Sequence, residues 1–196
     1  MKIIFAQGNP GSQYTLTRHN IGFIFADMLA AKYKVDFLPK QKFHADVADI
    51  TVGGEKTLIV KPTTFYNETG ISARALVDFY KIDTTQDFLV IHDDLALPFG
   101  TLRTREQGRD AGNNGVKSLN AHIGQEHKRI RVGVYHQLRD HMHDADFVLG
   151  TFSQDEKNAL PILFNEAERF IDAFIHDRFV NTKVVIPLQT DDTSDQ

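Results

Sequence analysis

The stretch "DFLVIHDD", residues 87–94, holds four consecutive apolar side chains and then turns polar without a break. A run of that kind buries both of its faces, which places it in the centre of a sheet covered on both sides. "KIIFA", residues 2–6, has the same character and opens the chain as another buried strand. Parallel neighbours need long crossover connections, and the intervening text supplies helices for them. Ile21, Ile24, Phe25, Met28 and Leu29 recur at helical spacing after Thr17, which predicts a helix capped by Thr17. "ADVADITVGGEKTLIVKP" predicts a hairpin turning at Gly53-Gly54, its second strand ending at Pro62. Further helices are predicted over about residues 68–80 and 115–123. A short strand carrying Arg103 and Arg105 follows the turn "LPFG", and "KRIRVGV" alternates as a strand. Ser153 and Glu156 spell a capping box for a C-terminal helical region. Pro161 is expected to break or kink that helix before Leu163, Ala167, Phe170 and Phe174 resume the stripe. The fold class is α/β, a twisted, mixed and largely parallel central sheet covered by helices. A single domain is expected over residues 1–188, and residues 189–196, polar with three aspartates, read as a disordered acidic tail.

The length of 196 residues suits one domain with a well-buried core, and 41% apolar with 24% charged residues is ordinary for a globular chain. The absence of cysteine excludes a disulfide framework, a thiol nucleophile and a cysteine zinc site. No apolar run approaches the roughly 18 residues of a membrane span. "MKIIFAQGNP" lacks the length and cleavage site of a signal peptide, so a cytoplasmic location is expected. A formal net charge of −4 argues against wrapping of nucleic acid. Residues 103–131, however, carry seven basic and three acidic groups, which fits limited contact with phosphates.

The chemistry-bearing residues gather after strands. Asn9 follows the first strand, Asn67 follows the strand ending near Val60, and Asp93 ends the apolar run. Ligands of open α/β sheets bind beyond the carboxyl ends of the strands. His19 is expected near the second position of the first helix, where a carboxylate such as Asp93 would orient it as a general base for water. Each of these residues alone also reads as a turn former or a structural histidine; their convergence is what carries weight. Other chemistries find little purchase. There is no G-x-S-x-G elbow, and "GNPG" and "GRDAGNNG" fall short of nucleotide-binding motifs. "HQLRDHMHDAD", with His136, His141, His143, Asp144 and Asp146, matches metal spacings only loosely and reads as a solvated loop.

Six segments in order, "GNPGSQYTLTRHNIGF", "KPTTFYNETG", "IHDDLALPFG", "GNNGVKSL", "RIRVGV" and "DFVLGTF", resemble those of bacterial-type peptidyl-tRNA hydrolases, from Lys2 to about residue 180. The resemblance implies a monomeric, metal-independent esterase without a cofactor. Its substrate would be peptidyl-tRNA, cut at the ester between the peptide and the 3′-terminal ribose. It implies His19 as the base, Asp93 as the residue orienting it, and Asn9 and Asn67 as amides holding the carbonyl and the attacking water. Asn114 would contact peptide and water, Tyr14 would lie beside the tRNA 3′ end, and Phe65, Tyr66 and Asn113 would border the same cleft. Arg105 and Arg131 would clamp a tRNA phosphate. The chain departs from the family's usual "GHNG" at Gly112-Asn113-Asn114-Gly115, from "FMN" at Phe65-Tyr66-Asn67, and from "GLGNPG" at Ala6-Gln7-Gly8-Asn9. Two other readings stand beside this one. One is a non-catalytic RNA- or ribosome-binding module on the same fold; the other is a phosphorylase-like or metal-dependent hydrolase using the His136–Asp146 cluster.

Overall fold

Described over residues 1–187, the computed structural model runs β1 (Lys2–Ala6), α1 (Ile21–Tyr33), β2 (Leu38–Lys40), β3 (Ala45–Val52), β4 (Glu55–Pro62), α2 (Thr69–Tyr80), α3 (Thr84–Asp87), β5 (Phe88–Pro98), β6 (Thr101–Arg105), α4 (Asn114–Ile123), β7 (Lys128–Tyr135), α5 (Asp144–Leu149), α6 (Gln154–Ile175) and β8 (Lys183–Val185). The strands form one sheet in the order β2-β3-β4-β1-β5-β7-β6-β8. Its four central strands, β4-β1-β5-β7, are parallel, while the flanks pair antiparallel.

The uninterrupted apolar runs follow from burial on both faces. Ile4, Ala6, Leu89 and Ile91 point toward α1 and α6, where they meet Phe25, Leu29, Leu163 and Phe164. Their neighbours Ile3, Phe5, Phe88 and Val90 point the other way, toward Leu76 and Val77 of α2 and Leu119 of α4. Because the side-chain period of a strand is two, every position from Ile3 to Ala6 in β1 and from Phe88 to Ile91 in β5 must be apolar. The hairpin turns at Gly53-Gly54 as expected, both glycines having positive φ.

Pro161 neither breaks nor ends α6, which continues from Gln154 to Ile175. The proline sits on the exposed face of the helix, and the buried stripe of Leu160, Leu163, Phe164 and Ala167 holds the helix together across it. The short elements β2, α3, α5 and β8 carry no pattern long enough to announce them. Residues 189–196, expected as a tail, lie outside the described residues. Among the described residues no helix is long and apolar enough to cross a membrane.

Candidate active site

The turns after β1 and β4 and the middle of β5 meet at one end of the parallel strands. Asn9 follows β1, and its backbone N–H donates to Asn20 Oδ1 (2.8 Å) while Asn20 Nδ2 donates back to Asn9 O (2.9 Å). The reciprocal pair ties this loop to the 3-10 turn Arg18–Asn20 that leads into α1. Asn20 stands at the capping position of α1 but gives the helix no side-chain cap, because its amide is committed to Asn9. Thr17 does not cap the helix either. Its hydroxyl donates to Tyr14 O (2.8 Å), and α1 begins only at Ile21. His19 therefore stands ahead of the helix, not inside its first turn.

Asp93 lies two residues beyond the last pairing of β5 with β1, Ala6 opposite Ile91. Its Oδ2 is 3.0 Å from His19 Nδ1. Burial alone would raise the Asp93 carboxyl, but His19, the Tyr66 hydroxyl and His92 together hold it below the usual carboxylate range. A carboxylate can only accept, so Nδ1 of His19 carries a proton, and in the neutral ring Nε2 is the nitrogen that keeps a lone pair. Among the described residues Nε2 has no partner, and the His19 ring lines an open cleft.

Tyr66, only 2% exposed, joins these groups. Its backbone N–H donates to Asn9 Oδ1 (2.8 Å), its hydroxyl donates to Asp93 Oδ1 (2.5 Å), and its ring stacks on His19 at 3.4 Å and 16°. Burial, and then the Asp93 charge, push the phenol well above its ordinary range, so it remains a donor. With Asn9 Oδ1 occupied, the Asn9 amide turns its NH₂ outward, and that NH₂ has no acceptor among the described residues. Asn113 caps α4 by accepting Val116 N–H on Oδ1 (3.0 Å), and its Nδ2 reaches the Tyr66 hydroxyl (3.0 Å). Gly115 allows this packing: a Cβ there would stand 2.3 Å from the Tyr66 ring.

The cleft has a volume of about 1150 Å³ and is lined by every site residue that the family resemblance implies except Tyr14. Tyr14 is half-buried on the 3-10 turn Ser12–Tyr14, away from the cleft wall. Asn67, Asn114 and Phe65 are exposed at the rim, Phe65 by 59%. One wall is basic. Arg131 is held by Asp94 (Nε to Oδ2, 2.5 Å), and Arg105 donates to Thr104 O (2.7 Å). Arg129, not singled out from the sequence, is buried and anchors the glycine-containing loop by donating to Gly108 O (2.6 Å), Arg109 O (2.9 Å) and Asn120 Oδ1 (2.8 Å). Burial and the nearby Arg131 lower its guanidinium to about 10. An alternating "KRIRVGV" could not reveal this, since it says which face Arg129 takes but not what waits there.

Several polar residues of "HQLRDHMHDAD" serve local bonds. His136 Nδ1 accepts Leu138 N–H (3.2 Å), Asp140 accepts the Tyr135 hydroxyl (2.9 Å), and Asp144 pairs with Arg139 (2.7 Å). Among the described residues no three His, Asp or Glu side chains are grouped to hold a metal.

The family model for peptidyl-tRNA hydrolase matches residues 3–190. The chain belongs to the peptidyl-tRNA hydrolase family. The peptidyl-tRNA hydrolase of Bacillus cereus (strain Q1) is 44% identical over 174 residues, covering 88% of this chain and 90% of the relative. That of Fusobacterium nucleatum is 43% identical over 160 residues, covering 82% of each. Among solved structures, the peptidyl-tRNA hydrolase from Acinetobacter baumannii superposes with a TM-score of 0.83 at 29% identity, covering 91% of this chain and 90% of that one. Membership gives the cleft its context: a peptidyl-tRNA hydrolase fold, with the His19–Asp93 pair at the mouth of the sheet.

Proposed function

We propose that the protein hydrolyses the ester between a peptide, or an N-blocked aminoacyl group, and the 3′-terminal ribose of tRNA, with His19 as the base. The observation that carries this reading is the 3.0 Å contact of His19 Nδ1 with Asp93 Oδ2, which leaves Nε2 free in a cleft that Asn9 also lines. Water held at Nε2 gives its proton to the imidazole as its oxygen bonds to the ester carbon. The carbonyl oxygen takes the negative charge and is met by the amides of Asn9 and Asn67, with Asn114 close to the peptide and the water. Collapse expels the ribose oxygen, which takes the proton from His19, so that carboxylic acid and free tRNA leave. Neutral amides suit this task because they donate without adding charge near the imidazole. Arg105 and Arg131 bind phosphate, and Phe65 packs against the substrate at the rim.

In this reading the chain is one domain over residues 1–188, which the single sheet including every described strand supports, and it works as a monomer in the cytoplasm. The test is hydrolysis of N-blocked aminoacyl-tRNA by the wild type and His19→Ala with EDTA present, the free-amino substrate serving as control. Cleavage of the blocked substrate, reduced by about 10²–10⁴-fold in His19→Ala, is expected. Near-normal turnover in His19→Ala would remove the assigned base, and binding of tRNA without cleavage by the wild type would favour a non-catalytic RNA-binding module.

A further inference from the structure

Asp93 presents two oxygens, and they serve different partners. Oδ2 faces His19 Nδ1 at 3.0 Å, and Oδ1 accepts the Tyr66 hydroxyl at 2.5 Å. The direction of that second bond is determined two residues away. Asn113 must face Val116 N–H with its oxygen, because only an oxygen can accept there, so its NH₂ is the group that faces Tyr66. An NH₂ cannot accept a hydrogen bond. The hydroxyl oxygen therefore receives Asn113 Nδ2–H, and the hydroxyl proton is left with one acceptor, Asp93 Oδ1. Asn113 Nδ2 also lies 3.4 Å from Asp93 Oδ1 and 3.3 Å from Asp93 O. A carboxylate pinned through one oxygen cannot rotate away, so the other stays aimed at Nδ1 of His19.

The Tyr66 ring adds a second constraint. Stacked on His19 at 3.4 Å and nearly parallel, it stops the imidazole from flipping, and its π face stabilises the imidazolium formed when water is deprotonated. Tyr66 is only 2% exposed, and its hydroxyl is held between Asp93 and Asn113.

We infer that Tyr66 and Asn113 are positioning residues, a relay from the N-terminus of α4 that aims Asp93 and holds His19 in its Nδ1–H tautomer. This rests on His19 acting as the base in ester hydrolysis. Tyr66→Phe keeps the ring and loses the hydroxyl. Asn113→Ser keeps a capping oxygen for Val116 and loses the NH₂. Both variants are expected to fold, which thermal melts will check.

Two readouts separate the relay from the reaction itself. With N-blocked aminoacyl-tRNA, Tyr66→Phe is expected to lower kcat about ten- to a hundredfold while KM stays within about twofold. Asn113→Ser is expected to lower kcat less in the wild-type background and hardly further in Tyr66→Phe, since its amide acts through the lost hydroxyl. Side-chain ¹⁵N resonances of His19 in the free protein report its tautomer whether or not substrate is cleaved. They are expected to show a single Nδ1–H form in the wild type and a growing Nε2–H fraction in Tyr66→Phe. An unchanged tautomer in Tyr66→Phe would overturn the relay, as would fully additive effects of the two substitutions on kcat. An inactive wild type with the expected change in tautomer would overturn the hydrolytic reading and leave the relay standing.

Discussion

Arg131 and Asp94 form an ion pair on the wall of the cleft, Nε to Oδ2 at 2.5 Å, with Asp94 only 8% exposed and the guanidinium partly open to solvent. Asp94 uses one edge of the guanidinium and aims the remaining donors outward, the arrangement a phosphate needs. Arg131→Gln and Arg105→Gln are expected to raise KM with little change in kcat, because phosphate contacts position the substrate and take no part in the reaction. Each replacement should also reduce the slope of log affinity against log salt by about one. Titration of tRNA binding from low to moderate salt reads this directly, and an unchanged slope in the double variant would remove the phosphate role.

Asn9 separates an acceptor task from a donor task. Asn9→Asp keeps an oxygen for Tyr66 N–H but replaces the outward NH₂ by a second oxygen. Loss of one donor to a developing oxyanion costs about 10²–10³-fold in kcat. Asn67→Ala should fall in the same range, measured by single-turnover release of the blocked amino acid.

Two buried histidines make folding stability depend on pH. His127 donates Nδ1–H to Gly124 O and accepts Arg129 Nε–H on Nε2, so burial and the arginine lower it to about 3; burial lowers His92 to about 4. Both values lie below the 6.5 of an unfolded histidine, so the unfolded chain takes up protons first. Their stabilisation is complete above about pH 6.5 and is lost as pH falls toward 3–4. Between pH 7 and pH 5 each should contribute a loss of about 1–2 kcal/mol. Urea midpoints at the two pH values will show this, and His127→Gln should flatten the difference.

Arg18 and Glu156 pair at 2.8 Å in a buried contact, 6% and 7% exposed, with the guanidinium 4.5 Å over the Phe147 ring. Glu156 also completes the capping box of α6 by accepting Ser153 N–H (2.7 Å). Glu156→Ala leaves a buried guanidinium without its partner and is expected to cost about 3–5 kcal/mol. Because Arg18 adjoins His19, activity should fall in step. Equilibrium unfolding of the variant, followed by its kcat, checks both.

Legibility followed the range of the interaction. The central strands could be read because full burial on both faces demands a continuous apolar run. The turn at Gly53-Gly54 and the capping box at Ser153 could be read because their partners lie within a few residues. Thr17 misleads for the same reason: its local pattern is that of a cap, but Asn20 holds the position before α1 and gives its amide to Asn9. The break expected as one outcome at Pro161 does not occur, because the proline sits on an exposed face and the buried stripe carries α6 past it.

The sequence by itself determined the layered α/β class, the buried strands that lead toward Asn9, Asn67 and Asp93, and the family. These follow from periodicity, chain-neighbour chemistry and contiguous motifs. Only the tertiary structure decided that Tyr66 is a buried hub between His19, Asp93 and Asn113, that Arg131 is shared with Asp94, and that Arg129 anchors the loop over the cleft. Each of those depends on a partner between 20 and 47 residues away on a different element. Hydrogen bonding is directional and short-ranged, so which distant groups meet is settled only when the sheet and its helices have closed around them.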